Sequence, residues 1–552
     1  MKKDLSILIG GKAGQGSRKA GLVIARLFKA LGYYVFIYDD YQSLIKGGHS
    51  FSKIRVCKKP VYSHKNKIDF LLALDQNTID QHEKELTKQA KILYDSSNIT
   101  FNSKKSTGLN LKEVVESVKG KEIMQNIALV SGFAKELGVK WQDLKKVLDK
   151  ELTKKKELNL KVAKKAFKKL DQVKKINKLK SKKDIKLLTG NESLSLGAIK
   201  AGLDLYFAYP MTPATGILHF LAQYQKEFNV KTIQMENEIG VINAAIGASF
   251  AGSKTMVGTS GGGFALMAEA FSVAVQNETP LVLVESQRMS PGSGVPTYNG
   301  QGDLSFALNV GHGDIEKFVV APGDANEAFY WAGKLLNLSW KYQNPSILLI
   351  DKEVSESTFS FNKNILNKIK PKKPKLWNGN NDYLRYKNTK TGISPISFPG
   401  QGPTVKSNSY EHNEYGLTIE DPKQVKLMQE KRLRKFKAMK KEVQNLKAVK
   451  VYGNKNSKKA IIAWGSTKGP ALDVAKALNL KLIFPVLLQP FPEKQIKQAL
   501  KGVKKIALVE TNGLAQLGKV LAQYSIEPNK EILKYDARPF AFDELKNKLS
   551  NF

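Results

Sequence analysis

Four short stretches carry side chains able to bind an anion and move a proton. In Ala208-Tyr209-Pro210-Met211-Thr212-Pro213-Ala214-Thr215, two prolines bracket one threonine directly after an apolar run at 203–208. Each proline fixes its own φ and biases the preceding residue away from helix, so the Thr212 hydroxyl is expected on a rigid loop at the carboxyl end of a strand. Open α/β sheets bind ligands at that edge. Gln234-Met235-Glu236-Asn237-Glu238-Ile239-Gly240 places two carboxylates before a small-residue helix at 244–251. One of them could do buried acid–base work, or both could simply cap the helix and meet its dipole. Thr259-Ser260-Gly261-Gly262-Gly263-Phe264 offers hydroxyls and free amides after a second strand-like run, and Glu285-Ser286-Gln287-Arg288 follows a third at 281–284. A guanidinium there can grip a carboxylate through two parallel hydrogen bonds; the plain alternative is a surface ion pair worth roughly 0–1 kcal/mol.

The elements that must hold these groups follow from periodicity. Residues 4–96 alternate strand-like runs (5–9, 34–38, 51–56, 70–74) with helical patterns, the rhythm of a βαβ unit and a doubly wound sheet. Gly10, Gly11, Gly14 and Gly16 follow the first run and precede a helix, so their amides could cradle a phosphate, or the glycines could serve tight strand-to-helix packing alone. The spacing is not that of a dinucleotide fingerprint. From about 109 to 170 the period is helical, and lysines dominate 153–184, which reads as a solvated helix and linker. A second α/β block runs from 185 to about 351, with strands expected at 254–258, 281–285, 318–321 and 346–350. Residues 361–455 read as a connecting arm, irregular and then helical and basic. A last α/β block has strands expected at 460–464, 480–484 and 505–510.

Composition excludes several classes. The chain has 552 residues, 42% hydrophobic and 25% charged, which suits several folded domains and excludes disorder throughout. No stretch approaches the roughly 20 apolar residues of a bilayer span, and the start turns glycine-rich too soon for a signal peptide, so a cytoplasmic protein is expected. Cys57 is the only cysteine, so a disulfide, a four-cysteine zinc site or an iron–sulfur cluster cannot be built from this chain alone. The six histidines show no metal-ligand spacing, and no metal site is expected. The net charge of +39 would attract nucleic acid, yet no recognition motif accompanies it; lysine-rich composition or steering of an acidic partner protein accounts for it equally.

Taken together the motifs resemble the 2-oxoacid:ferredoxin oxidoreductases. The run around Thr212 resembles that family's YPITP, with Met211 for isoleucine; Thr259–Phe264 resembles TSGPGF, with Gly262 where proline is common. Gln287-Arg288, Pro291-Gly292-Ser293-Gly294-Val295-Pro296-Thr297 and Gln301-Gly302-Asp303 resemble QRxGPSTGxPT and QGD, and Gly311-His312-Gly313-Asp314 echoes HGD. The N-terminal glycines with Tyr41-Gln42-Ser43-Leu44-Ile45-Lys46-Gly47-Gly48-His49 resemble the γ subunit, Gln42 standing where proline is usual. Ala463–Thr467, Gln489–Pro492, Val509–Asn512 and Gln516–Gly518 resemble a transketolase-C-terminal-like domain. The likeness spans nearly the whole chain in γ-then-α order.

That resemblance implies an α/β protein of several doubly wound domains: a γ-type domain at 1–180, a thiamine-pyrimidine-binding domain at 181–360, the arm at 361–455 and a transketolase-C-terminal-like domain at 456–552. It implies oxidative decarboxylation of a 2-oxoacid with coenzyme A, yielding acyl-CoA and reduced ferredoxin. Glu238, with Glu236 as fallback, would bond the pyrimidine of thiamine diphosphate. Tyr209, Pro210, Thr259, Ser260 and Gly261 would line that cofactor, Arg288 and Thr212 would grip the substrate carboxylate beside Thr297, and Gly11, Gly14 and Gly16 would meet coenzyme A. No GDG with a downstream Asn-Asn is present. A β subunit is therefore expected to bring magnesium, the diphosphate anchor and an iron–sulfur cluster, making a heterodimer. The favoured substrate is 2-oxoglutarate, with pyruvate or a branched or aromatic 2-oxoacid as alternatives. A basic nucleic-acid-binding or scaffold protein that kept the fold is the reading from another class.

Overall fold

A computed structural model describes residues 4–43 and 48–552. Leu44, Ile45, Lys46 and Gly47 of the second γ-type motif lie outside the described residues. Contacts divide the chain into two compact units, one of Met1–Leu188, Ser357–Lys363 and Phe540–Phe552, the other of Thr189–Glu356 and Asn364–Pro539.

The first unit is built on an eight-stranded mixed sheet. The strands Asp4–Lys12, Ile68–Ala73, Leu86–Asp95 and Ser106–Leu109 pair in parallel, as the alternating pattern predicts. The strand His49–Cys57 departs from that pattern, running antiparallel to both Asp4–Lys12 and Tyr34–Tyr41. The reason lies in chain length: only residues 42–48 join Tyr34–Tyr41 to His49–Cys57, too few for a crossover, so the two form a hairpin where a βαβ step was expected. Helices Ser17–Ala30 and Gln125–Glu136 bury their apolar faces in one core with Ile7, Ile9, Phe70 and Leu72. The lysine-rich helix Lys156–Lys168 is less solvated than its composition suggests, since it turns Asn159, Val162, Ala163 and Ala166 inward and leaves its lysines outside. Cys57 is buried, its thiol donating to Asp4 Oδ1 at 3.1 Å.

The second unit holds two sheets. Six strands of the larger one run parallel, in the spatial order Phe318–Val320, Ser346–Asp351, Val282–Gln287, Thr255–Thr259, Leu205–Ala208 and Lys231–Gln234. All but the edge strand Lys231–Gln234, which is largely exposed, are buried runs of the kind a sheet covered on both faces demands. The short strand Leu487–Gln489 adds to Phe318–Val320 antiparallel, so a C-terminal segment completes this sheet. The smaller sheet has five strands, Val449–Gly453, Lys481–Pro485, Lys459–Ala463, Lys505–Glu510 and Lys530–Leu533. Val449–Gly453 pairs antiparallel with Lys481–Pro485, which gives the end of the expected arm a place in this sheet. The rest of that arm is irregular up to the helix Pro422–Gln444, which Asp421 caps by accepting from Gln424 N at 2.9 Å.

That basic helix is fastened by buried charge. Lys431 and Lys435 are fully buried and both pair with Glu278, Lys435 at 3.0 Å, while Arg385 donates to the carbonyls of Asn277 and Glu278. Lys468 is likewise buried between Asp324 and Glu327, at 2.5 and 2.6 Å. Among the described residues no helix is long and apolar enough to cross a membrane, and no group of three His, Cys, Asp or Glu could hold a metal ion.

Candidate active site

Parallel strands with right-handed crossovers deliver their following loops to one edge of the sheet, and ligands bind there. In the second unit the strands Val282–Gln287, Thr255–Thr259, Leu205–Ala208 and Lys231–Gln234 are consecutive neighbours. Their carboxyl ends carry Arg288, Thr259 to Gly263, Thr212 and Glu238 in that order. Four motifs spread over about eighty residues thus meet because of strand order alone.

Arg288 is 8% exposed and donates through Nη1 to the backbone carbonyl of Thr212 at 2.8 Å. Its Nε has no partner. The proline-bracketed loop therefore supplies a carbonyl that orients the guanidinium, while the Thr212 hydroxyl stays available at the half-buried tip. Asn191 donates to the Pro213 carbonyl at 2.9 Å and fixes the loop from behind. Tyr209 and Pro210 are exposed at its front.

The two candidate carboxylates separate cleanly by burial. Glu236 is exposed, whereas Glu238 is 5% exposed at the first turn of the helix Glu238–Phe250. Capping is done by neither; Asn237 is the cap and accepts from Gly240 N at 2.8 Å. Glu238 has no hydrogen bond or ion pair among the described residues. Its Oε1 rests against Gly263, where an added Cβ would come within 2.7 Å of it and 2.3 Å of Thr259 Oγ1. That close approach is the use of the third glycine in the TSGGGF run. A Gly263→Ala variant is expected to push both side chains out of place and cut turnover at least tenfold with the fold retained, as steady-state kinetics alongside circular dichroism would show.

The other glycines of the run have a different task. Gly261 adopts φ +24 and donates its N–H to Glu285 Oε1 at 2.8 Å; Cβ atoms on Gly261 or Gly262 would meet nothing within 4 Å. Both line a cavity of about 550 Å³ whose walls include Met289 to Gly292, Asp303, Phe306 and Thr511 to Leu514. Buried hydroxyls of Thr259, Ser260 and Thr297 have no partner. Native interiors pair such groups, so several unpaired ones at a single sheet edge mark a place that receives a polar ligand.

Electrostatics mark the same place. Glu285 is fully buried, and desolvation, reinforced by the charge of Asp303, pushes its carboxyl well above the usual range, the Gly261 amide and Arg288 opposing. Desolvation raises Asp303 to about 6 against a bond from Ser290 and the charge of Arg288. Neither acid stood out in the sequence as more than part of a motif.

Gln301 of the QGD run is an anchor. Its Nε2 donates to Asp351 Oδ2 at 3.2 Å and to the Trp464 carbonyl at 2.9 Å, and its Oε1 accepts from Thr511 N at 3.0 Å. Gln516 adds a bond to the Gly302 carbonyl at 2.7 Å. Two of the C-terminal motifs thus furnish one wall of the cavity. His312 is exposed, and His412 is buried with its ring 3.8 Å from that of Tyr386.

The first unit carries the remaining candidates. Gly14 and Gly16 adopt φ +100 and +79, a region that favours glycine. Gly14 lines a cavity of about 910 Å³ shared with Lys12, Gln15, Asp75, Asn77 and Gln125, a size that suits a large cofactor or cosubstrate. Gly11 and Gly16 instead make room for Gln15 and Asn126, whose amides lock the turn: Lys12 N donates to Gln15 Oε1 at 2.7 Å and Asn126 Nδ2 to the Gln15 carbonyl at 3.0 Å.

Known proteins share this arrangement. Residues 196–431 match the family model described as pyruvate flavodoxin/ferredoxin oxidoreductase, thiamine diphosphate-binding, and residues 6–169 match that of pyruvate ferredoxin/flavodoxin oxidoreductase. The 2-oxoacid:ferredoxin oxidoreductase subunit alpha of Saccharolobus solfataricus is 33% identical over 98% of this chain and 96% of its own length. The 2-oxoglutarate synthase subunit KorA of Methanocaldococcus jannaschii is 31% identical over 59% of this chain and 88% of its own. Among solved structures, the 2-oxoglutarate:ferredoxin oxidoreductase from Magnetococcus marinus with 2-oxoglutarate, coenzyme A and succinyl-CoA bound superposes with a TM-score of 0.91 at 28% identity, covering 100% of this chain and 99% of that one. With similarity running end to end, the chain belongs to the 2-oxoacid:ferredoxin oxidoreductase family, as a counterpart of its alpha subunits.

Proposed function

We propose that this chain is the γ-plus-α subunit of an enzyme that oxidises a 2-oxoacid with coenzyme A to acyl-CoA and carbon dioxide, passing the two electrons to ferredoxin. The observation that carries this reading is the grouping of Arg288, Thr212 and buried Glu238 on neighbouring strand ends. Residues 1–180, 181–360 and 456–552 would form its γ-type, pyrimidine-binding and transketolase-C-terminal-like domains, with 361–455 joining the last two.

The unpaired hydroxyls of Thr259 and Ser260 and the unpartnered Glu238 carboxylate fit the pyrimidine end of thiamine diphosphate. Glu238 would hold a hydrogen bond to a ring nitrogen, with Tyr209, Pro210 and Gly261 around it. When bound, thiamine diphosphate supplies the carbanion that attacks a keto carbon and stabilises charge as carbon dioxide leaves. Arg288, oriented by the Thr212 carbonyl, would bind the substrate's first-carbon carboxylate, helped by the hydroxyls of Thr212 and Thr297. Gly14 and its cavity in the first unit, with Gly11 and Gly16 shaping the turn, would take coenzyme A. A β subunit would bring magnesium, the diphosphate anchor and the iron–sulfur cluster, and ferredoxin and coenzyme A as reactants support a cytoplasmic setting. The bound 2-oxoglutarate of the Magnetococcus marinus enzyme favours that substrate; the pyruvate named by both family models makes pyruvate the second.

The chain co-purified with the product of its neighbouring β-subunit gene should reduce a viologen dye only when a 2-oxoacid and coenzyme A are both present. Absence of dye reduction together with strong, salt-sensitive RNA binding would replace this reading with a basic scaffold. Arg288→Ala is expected to raise the KM for the 2-oxoacid by roughly 30-fold to 4,000-fold, the range for truncating one member of a buried charge pair. An unchanged KM would remove Arg288 from the site.

A further inference from the structure

Two acids at the site have no part in the mechanism above. Glu285 Oε2 and Asp303 Oδ2 are buried without a hydrogen-bond partner, as is Arg288 Nε; Arg288 feels the charge of both acids, and Glu285 feels that of Asp303. Glu285 and Arg288 leave the same strand end, and Asp303 is brought to them by the QGD turn, whose Asp303 N donates to Gln287 Oε1 at 3.1 Å. Asp303 also lines the 550 Å³ cavity, which gives the group a route for proton exchange.

We propose that Glu285 and Asp303 are positioning residues that hold one proton as a pair and thereby set how strongly Arg288 attracts the carboxylate of the substrate. The proposal rests on the reading of Arg288 as the carboxylate clamp. Two acids in one buried site do not ionise together. Asp303, raised by burial to about 6, releases its proton first, and Glu285, pushed up by burial and by the charge so formed, keeps its own. The guanidinium stays cationic throughout. The pair is neutral in acid and carries one negative charge once Asp303 has ionised near pH 6, Glu285 keeping its proton to higher pH. Each step subtracts from the field that Arg288 presents, so affinity for the substrate falls as pH rises. Other charged groups on elements packed around the pair include Glu238, Asp351, Lys352, Glu353, Glu356 and Glu510, with Glu327, Lys334 and Lys341 on the helix Ala325–Tyr342 and Lys519 on the helix Gln516–Ala522. Asp351 and Glu510 are occupied by donors, Gln301 and Ser466 N on the first, Trp464 and Leu517 N on the second, and Lys352 pairs with Glu356 at 3.9 Å.

The test is kinetic, on the assembled complex with its β subunit, across about pH 5 to 9, an interval spanning ordinary histidine and thiol values. Wild type should show KM for the 2-oxoacid rising by roughly threefold to tenfold near pH 6, a size set by a unit charge at close range, and again at the higher pH where Glu285 ionises, with kcat nearly flat. Glu285→Gln should abolish the upper step and keep the one near pH 6. Asp303→Asn should abolish the lower step and move the upper one down, because Glu285 has lost its charged neighbour. Variants that lose kcat or stability while both steps stay where they are would overturn the pairing and leave only a structural role. Asp303→Asn alone decides the matter should Glu285→Gln fail to assemble. Arg288→Ala in the same series separates the two levels. An unchanged KM there sinks the clamp itself, whereas a raised KM with unmoved steps in the acid variants sinks the pair alone.

Discussion

Glu238→Gln should lower kcat of the assembled enzyme by roughly 10²-fold to 10⁴-fold, the range over which a positioned acid–base group acts, while leaving KM for the 2-oxoacid within about threefold. Glutamine matches the shape of the side chain and keeps a carbonyl oxygen against Gly263, so packing is preserved; what disappears is a carboxyl able to hold a proton. Stopped-flow reduction of the dye with saturating substrate measures the effect. Glu236→Gln, at an exposed position two residues away, is the control and should be silent. If Glu236→Gln carries the loss and Glu238→Gln does not, the assignment is reversed.

The second large effect is on stability. Replacing Glu278 by alanine should cost about 3–5 kcal/mol, because it leaves Lys431 and Lys435 buried with no counter-charge. Replacing the three together by Leu, Met and Met should cost far less, and similar replacements elsewhere stabilise by about 1–4 kcal/mol, since the desolvation of all three ions is removed with their attraction. Burial alone would push the Glu278 carboxyl up, but the two lysines and Arg385 outweigh it and hold the carboxyl well below the usual range, while burial brings Lys435 down to about 8. A carboxyl whose folded value lies below its unfolded value of about 4.3 contributes fully above that pH and loses its contribution as pH falls through the depressed value. The midpoint of urea unfolding should therefore drop in strong acid for wild type and change less for the triple variant. Equal midpoints for Glu278→Ala and wild type would contradict the cluster's role.

These two predictions differ in how visible their residues are in the sequence. The site could be read because its parts are local: prolines around Thr212, glycines after a strand, an arginine where a strand ends. Of the two carboxylates there, Glu238 is buried and Glu236 exposed, a difference that spacing alone leaves open. Lys431 and Lys435 read only as part of a basic helix, because their partner lies more than 150 positions upstream and only the packing of the helix Pro422–Gln444 brings them together. Asp303 and Glu285 were hidden for a similar reason, each belonging to a motif whose neighbour in space is another motif. The antiparallel direction of the strand His49–Cys57 was missed because alternation of apolar runs carries no information about direction, which the length of the connecting segment decides.

The short strand Leu487–Gln489, completing a sheet begun some 280 residues earlier, has a consequence for anyone dividing this gene. A fragment ending before the last α/β block would leave the edge Phe318–Val320 without its partner and expose an unpaired ladder to other chains. Such a truncated polypeptide should aggregate, and supplying the missing piece as a separate peptide or chain should restore solubility. The last hundred residues are in this sense a built-in guard for an edge that the preceding fold leaves open.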